Sequence, residues 1–229
     1  MKSIASAPAK IILFGEHFVV HGTKAILAAI DKRVTVTTTF TMNKTIKINS
    51  KLGMYETSDI SSYGEVKSEL RPFIFLAIKI LEGFGIERIA TYRGLHNLSG
   101  LEITIDSDIP VGVGLGSSSA CCVAAAASIS GVFAIVGYNK LSHEEILELA
   151  IEAEKTIFPD TSGADCTVCT YGGMIEYTKD KFGNPGGDTK KIDNTFDLNL
   201  LIANSMIPHN TKNSVEKVNK FKENNEERF

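Results

Sequence analysis

"DIPVGVGLGSSSACC", residues Asp108 to Cys122, sets three glycines at alternate positions and follows them with three serines. A glycine has no Cβ, so backbone N–H groups there can approach an anion and the chain can turn through left-handed conformations. A helix starting just behind would add the partial positive charge of its N-terminus. Such a loop is a phosphate cradle. The same glycines also suit a tight turn with close strand–helix packing, and alone they do not separate the two. The flanks favour a phosphate. "GLEITIDSDIP" before the loop reads as a strand, and Ser117 to Ser119 behind it are residues of the kind that cap a helix. The small-residue run "ACCVAAAASISGVFAI" reads as that helix.

The common phosphate loops do not fit. A P-loop needs a lysine after its last glycine, and Gly116 is followed by Ser117. A dinucleotide fingerprint needs glycine where Ser117 stands. The glycine loop of protein kinases lies between two strands and is followed by H-R-D and D-F-G, neither of which occurs here.

Working outward, the first third of the chain reads as strands: "IILFG", "KAILAAI", and the alternating "RVTVTTTFT" and "TIKIN". "ELRPFIFLAIKILEGFG" carries Phe73, Leu76, Ala77, Ile80, Leu81 and Phe84 at helical spacing and ends on Gly83 and Gly85. "SHEEILELAIEAEKTI" is a helix with a capping box, Ser142 and Glu145. "YGGMIEY" and "FDLNLLIANS" read as later strands, separated by "TKDKFGNPGGDTKK", which suits a hairpin loop or a domain boundary. "NTKNSVEKVNKFKENNEERF" begins as an amphipathic helix and dissolves into charge.

Composition bounds the function. The chain has 229 residues, 43% apolar and 22% charged, enough to bury a core. A net charge of −3 argues against nucleic-acid or membrane-surface binding based on charge. There is no run of about 18 apolar residues and no secretory signal, so the expectation is a cytoplasmic protein. Cys166 and Cys169 form a C-x-x-C, but a zinc site needs about four ligands. The other cysteines are the vicinal Cys121 and Cys122, and the five histidines show no ligand spacing. Small buried thiols are the better reading.

"PVGVGLGSSSA", Pro110 to Ala120, resembles the ATP-binding motif of the GHMP kinases. "APAKIILFGEHFVVHG", Ala7 to Gly22, is similar to that superfamily's first motif, and within it to the mevalonate kinase branch. "EAEKTIFPDTSGADCTVCTYGG", Glu152 to Gly173, resembles the segment that carries the branch's catalytic aspartate. "NSMIPHNTK", Asn204 to Lys212, resembles the start of a second domain, with His209 where the family usually has arginine. The resemblance implies an α+β (two-layer α/β) fold of the ribosomal protein S5 domain 2-like type over residues 1–180, then the start of a ferredoxin-like domain over 181–229. It implies ATP and Mg²⁺ as cofactors and mevalonate as the substrate, phosphorylated on its 5-hydroxyl.

The resemblance also assigns residues. ATP is held by Pro110, Gly112, Val113, Gly114, Leu115, Gly116, Ser117, Ser118 and Ser119. Asp165 takes the hydroxyl proton; without the motif the favoured reading is a helix-capping residue. Lys10 lies beside it, holding it charged and stabilising the transferring phosphoryl group; otherwise it is a solvated strand-end lysine. Glu154 falls on or beside the buried side of its helix, where a carboxylate needs a partner. That partner is either a neighbouring Lys or Arg or, by resemblance, Mg²⁺ shared with Ser118. Glu16 and His17 line the substrate pocket, and Thr211 reaches the substrate carboxylate region.

The family's closing glycine motif is absent, since no glycine follows Gly187. The expectation is a C-terminally shortened chain, weakly active or inactive alone, with a homodimer or a partner chain supplying the motif. Two alternatives stay open: another small-molecule kinase of the superfamily, and a non-catalytic nucleotide-binding fragment or half of a split enzyme.

Overall fold

The computed structural model describes residues 1–16, 18–58, 63–85, 100–180, 186–193, 199–203, 217–218, 220–221 and 223–225. Its framework is a long antiparallel pair, β1 (Lys2–Phe14) and β2 (Lys24–Thr41). The sequence reads β2 as two strands because exposed Asp31, Lys32 and Arg33 interrupt it. The structure keeps it as one. Pairing passes from Pro8↔Arg33 to Ala9↔Ile30, so a bulge takes up the two extra residues. Buried positions lie at Ala25 and Leu27 on one side of the bulge and at Val34, Val36 and Phe40 on the other. They feed two separate apolar clusters.

The sheet has seven strands in the order β4-β3-β5-β2-β6-β7, with β1 on the other edge of β2. β3 (Ile46–Ser50), β4 (Gly53–Thr57) and β5 (Gly100–Ser107) extend one wing. β6 (Met174–Thr178) and β7 (Asp188–Ile192) extend the other. β5 pairs Val34–Thr41 and β6 pairs Lys24–Ala28, so both share one long edge of β2. On the solvent side, Lys47–Glu102 at 3.3 Å and Lys51–Asp106 at 3.1 Å are cross-strand ion pairs.

Four helices are described: α1 (Arg71–Gly83), α2 (Ser117–Ala134), α3 (His143–Lys155) and α4 (Ala164–Tyr171). α2 lies in the middle, against β1, β2 and the other three helices. It is long and apolar enough to cross a membrane, yet most of it is buried inside the fold, as a core helix is. Its small residues let it sit close to the sheet. A Cβ on Gly131 would come within 3.3 Å of Ser3 Cβ, and Ser128 donates to Thr38 Oγ1 at 2.8 Å. At the far end Phe133 stacks edge-on against Phe40 at 5.1 Å and Tyr138 at 5.7 Å. The expected capping box opens α3: Glu145 N donates to Ser142 Oγ at 3.2 Å, and Ser142 N donates to Glu145 Oε2 at 2.7 Å.

Two expectations at the end of the chain change. "DTKKI" is not loop but β7, which takes the edge of β6 and carries the sheet past residue 180. Residues 199–203 of "FDLNLLIANS" are in no strand, and Leu201 is 98% exposed. The rest of that stretch and most of the C-terminal helix lie outside the described residues.

Phe133→Ala removes a fully buried ring from the junction of α2 with β2 and should cost about 3–5 kcal/mol. Urea denaturation would show it as a lower midpoint at unchanged slope. A loss under about 1 kcal/mol would mean that this cluster does not anchor α2.

Candidate active site

The glycine loop leaves β5 under control of its flanks. Asp108 N donates to the Arg33 carbonyl at 3.0 Å, and Ile109 N to Ser107 Oγ at 3.1 Å. Gly112, Gly114 and Gly116 then all take left-handed φ values, +74°, +79° and +72°. The residues between them are anchors: Leu115 is buried, and its carbonyl accepts from Lys10 N at 3.0 Å. A Cβ on Gly112 or Gly114 would meet nothing within 4 Å, so that face of the loop is open. Pro110 is exposed, Val113, Ser117 and Ser118 are half-buried, and Ser119 is buried.

The serines do not cap α2. Gly116 is the N-cap, with no side-chain hydrogen bond, and Ser117 is already helical. A left-handed glycine turns the chain into the helix directly, which a capping serine in extended conformation would not do. The first N–H groups of α2 therefore lack a side-chain acceptor and face the loop's own opening.

Lys10 passes beneath this turn. It follows Ala9 on β1, and both are buried, so the strand is covered on both faces here. A Cβ on Gly116 would lie 2.7 Å from Lys10 Cγ and 3.0 Å from Cε. The lysine stem thus runs against the glycine backbone, and its ammonium reaches Asp165 Oδ2 at 2.9 Å. Asp165 is the second residue of α4, whose N-cap is Gly163 at φ +82°. The capping alternative for Asp165 is therefore closed. Its side chain is 31% exposed, against 4% for Lys10, so the pair has a dry cationic end and an open anionic end.

Glu154 is buried in the last turn of α3. Its partners are not a lysine or arginine. It accepts from the hydroxyl of Ser119, from Thr161 Oγ1 at 2.7 Å and from the Cys166 thiol at 3.6 Å. Burial pushes its carboxyl above the ordinary value, the charge of Asp165 adds to the rise, and the three hydrogen bonds oppose it. The serine that touches Glu154 is Ser119, whereas the sequence reading pairs Glu154 with Ser118. Thr161 and Cys166 are absent from that reading, because neither a loop threonine nor a buried cysteine carries a periodicity signal. All four cysteines are free thiols, and burial raises the Cys121 thiol to about 12.

The structure thus brings together Lys10, the Leu115–Ser119 turn, Glu154 and Asp165. Glu16 is an exposed turn residue after Gly15 and makes no hydrogen bond or ion pair with them. His17 and Thr211 lie outside the described residues. A separate cleft of about 420 Å³, between Ser3–Ser6 of β1 and the start of α3, contains none of this group.

A glycine loop thus runs into a helix, with a buried lysine and a half-exposed aspartate paired beneath it. Residues 77–173 match the GHMP kinases N terminal domain, and the chain carries that domain. Mevalonate kinases are among the relatives it matches. The one from Pyrococcus furiosus is 37% identical over 195 residues, covering 80% of this chain and 53% of the relative. Among solved structures, Methanococcus jannaschii mevalonate kinase superposes with a TM-score of 0.67 at 27% identity, over 85% of this chain and 56% of that one. L. major mevalonate kinase, in complex with R-mevalonate, gives a TM-score of 0.65 at 25% identity, over 98% of this chain and 62% of that one. The chain spans about half the length of the curated relatives it matches.

Two outcomes follow from this geometry. Gly112→Ala has open space and costs only the left-handed strain, about 1–2 kcal/mol. Gly116→Ala adds a clash with the Lys10 stem and should cost about 1–3 kcal/mol more. Equal melting shifts for the two would mean that Lys10 does not pack against the turn. Glu154 has a raised folded-state pKa, so it binds its proton more tightly folded than unfolded. Stability is then fullest below the ordinary carboxyl range and falls as pH rises through the raised value. Thermal melts of Glu154→Gln against the parent should diverge in the variant's favour over that rise, and parallel curves would contradict the buried carboxylate.

Proposed function

We propose that this chain supplies the ATP-binding and proton-accepting part of a kinase that phosphorylates the 5-hydroxyl of mevalonate. The observation that carries the reading is the Lys10–Asp165 pair, 2.9 Å apart beneath the last glycine of the loop. The mevalonate kinase relatives and the R-mevalonate bound to the L. major enzyme support the substrate.

Phosphoryl transfer asks the protein for position and charge rather than covalent chemistry. The open glycine face and the α2 N-terminus, Pro110 to Ser119, receive the phosphates of ATP. Asp165 accepts the hydrogen bond of the attacking hydroxyl and takes its proton. Its exposed oxygen faces the substrate, while the other end of the pair stays dry. Lys10 holds Asp165 in place at 2.9 Å and offers positive charge to the phosphoryl group in transit. Glu16, in the turn after β1, binds mevalonate together with His17 and Thr211.

The donors around Glu154 suit Mg²⁺: a carboxylate whose ionised form is disfavoured by burial, ringed by hydroxyl oxygens. Glu154 with Ser118 or Ser119 would hold the ion, which when bound neutralises charge on the phosphates. Four free thiols fit a reducing compartment, so the cytoplasm is the proposed location.

Asp165→Asn keeps the size of the side chain and removes the base. ADP release with Mg-ATP and mevalonate should fall by about 10²–10⁴-fold, with nucleotide binding kept. Undiminished turnover in the variant would remove Asp165 from this role.

A further inference from the structure

One feature of the sequence has no part in that reading: the double glycine Gly186–Gly187 ahead of β7. Both residues have positive φ, +79° and +56°. A Cβ on Gly187 would lie 2.8 Å from Tyr177 Cζ and 2.9 Å from Cε2, and one on Gly186 would lie 2.7 Å from Leu147 Cδ2. The turn's backbone is therefore laid directly on the ring of Tyr177, as only glycine permits.

Tyr177, on β6, is fully buried, and its hydroxyl donates to the Ser162 carbonyl. That carbonyl immediately precedes Gly163, the left-handed N-cap of α4. A Cβ on Gly163 would lie 2.9 Å from Ile151 Cδ1 and 3.4 Å from Tyr177 Oη, so the cap is wedged between α3 and the tyrosine. The chain on either side carries the site. Thr161 holds Glu154 at 2.7 Å, and Asp165 holds Lys10 at 2.9 Å. The Gly163 carbonyl accepts from Thr167 N and Thr167 Oγ1, both at 2.9 Å, which closes the first turn of the helix.

We infer that Tyr177 is a positioning residue: its hydroxyl fixes the Ser162 carbonyl, and with it the entry of α4 that aims Asp165 and Thr161, while the Gly186–Gly187 turn locks the ring. This rests on the reading of Asp165 as the proton acceptor. Burial raises the Tyr177 phenol well above its ordinary value, so the hydroxyl remains a donor at working pH. It has one carbonyl to hold, and an unheld carbonyl beside a left-handed cap would let the first turn of α4 swing. Near-attack geometry is lost with displacements of about 1 Å.

Tyr177→Phe keeps the ring and removes only the hydroxyl. In the 229-residue chain, hydrogen exchange at the amides of residues 163–167 should quicken by about tenfold or more, with α2 and β2 unchanged. With Mg-ATP and mevalonate, kcat should fall by about tenfold while KM for ATP moves by less than about twofold. A tyrosine that merely packs would leave kcat alone, or would loosen α2, β2 and α4 together. Either result overturns the inference. If the parent chain releases no ADP, it is not a kinase on its own. The exchange pattern then decides alone: selective loosening at 163–167 upholds the role of Tyr177, and its absence ends it.

Discussion

A buried ammonium dictates the arrangement of this molecule. Lys10 lies under the glycine turn with its stem against backbone, and burying a charge without a partner is prohibitive. The partner comes from far along the chain, on the first turn of α4. Satisfying Lys10 therefore requires α4 to be placed to within hydrogen-bond reach of β1. That placement requires β6 on the edge of β2 and a close fit at Gly163. Several features with no chemical role of their own, including the bulge in β2 and the double glycine before β7, serve that one requirement.

The charge layout is uneven in a useful way. Two carboxylates, Glu154 and Asp165, share the site and are treated differently. Asp165 has a cation beside it and access to solvent. Glu154 has hydroxyls and a thiol, and no compensating cation among the described residues. Burial and the neighbouring aspartate both disfavour its ionised form. A positively charged ligand near Glu154 would relieve that cost. Negative phosphates can then be brought close only with their own counter-charge, which is the pattern expected of a site that takes a metal–nucleotide complex.

What the sequence reveals follows from how local each feature is. The glycine loop, the α3 capping box and the amphipathic α1 are written in contiguous residues, and the structure has them where the sequence puts them. The role of the serines is not legible, because Ser-Ser-Ser before a small-residue run looks the same whether a serine or the preceding glycine caps the helix. β2 reads as two strands because a bulge hides charges that would end an ordinary strand. β7 is polar and short, so only its pairing with β6 reveals it. Within the site, Glu154 and Asp165 stand out by burial pattern and motif. Thr161, Cys166 and Tyr177 meet them only through the fold, from a loop, a helix interior and a separate strand.

The shared edge of β2 also sets an order of assembly. β5, the glycine loop and α2 are contiguous, and the hydrogen bonds that hold the cradle, from Asp108 N to the Arg33 carbonyl and from Lys10 N to the Leu115 carbonyl, tie it to β2 and β1, which precede it in the chain. The other half of that edge waits for β6, where Lys24 and Glu176 meet across 152 residues. Closing so long a loop is slow, and it comes after local contacts. A nascent chain would then present a finished anion cradle well before Lys10 has its aspartate.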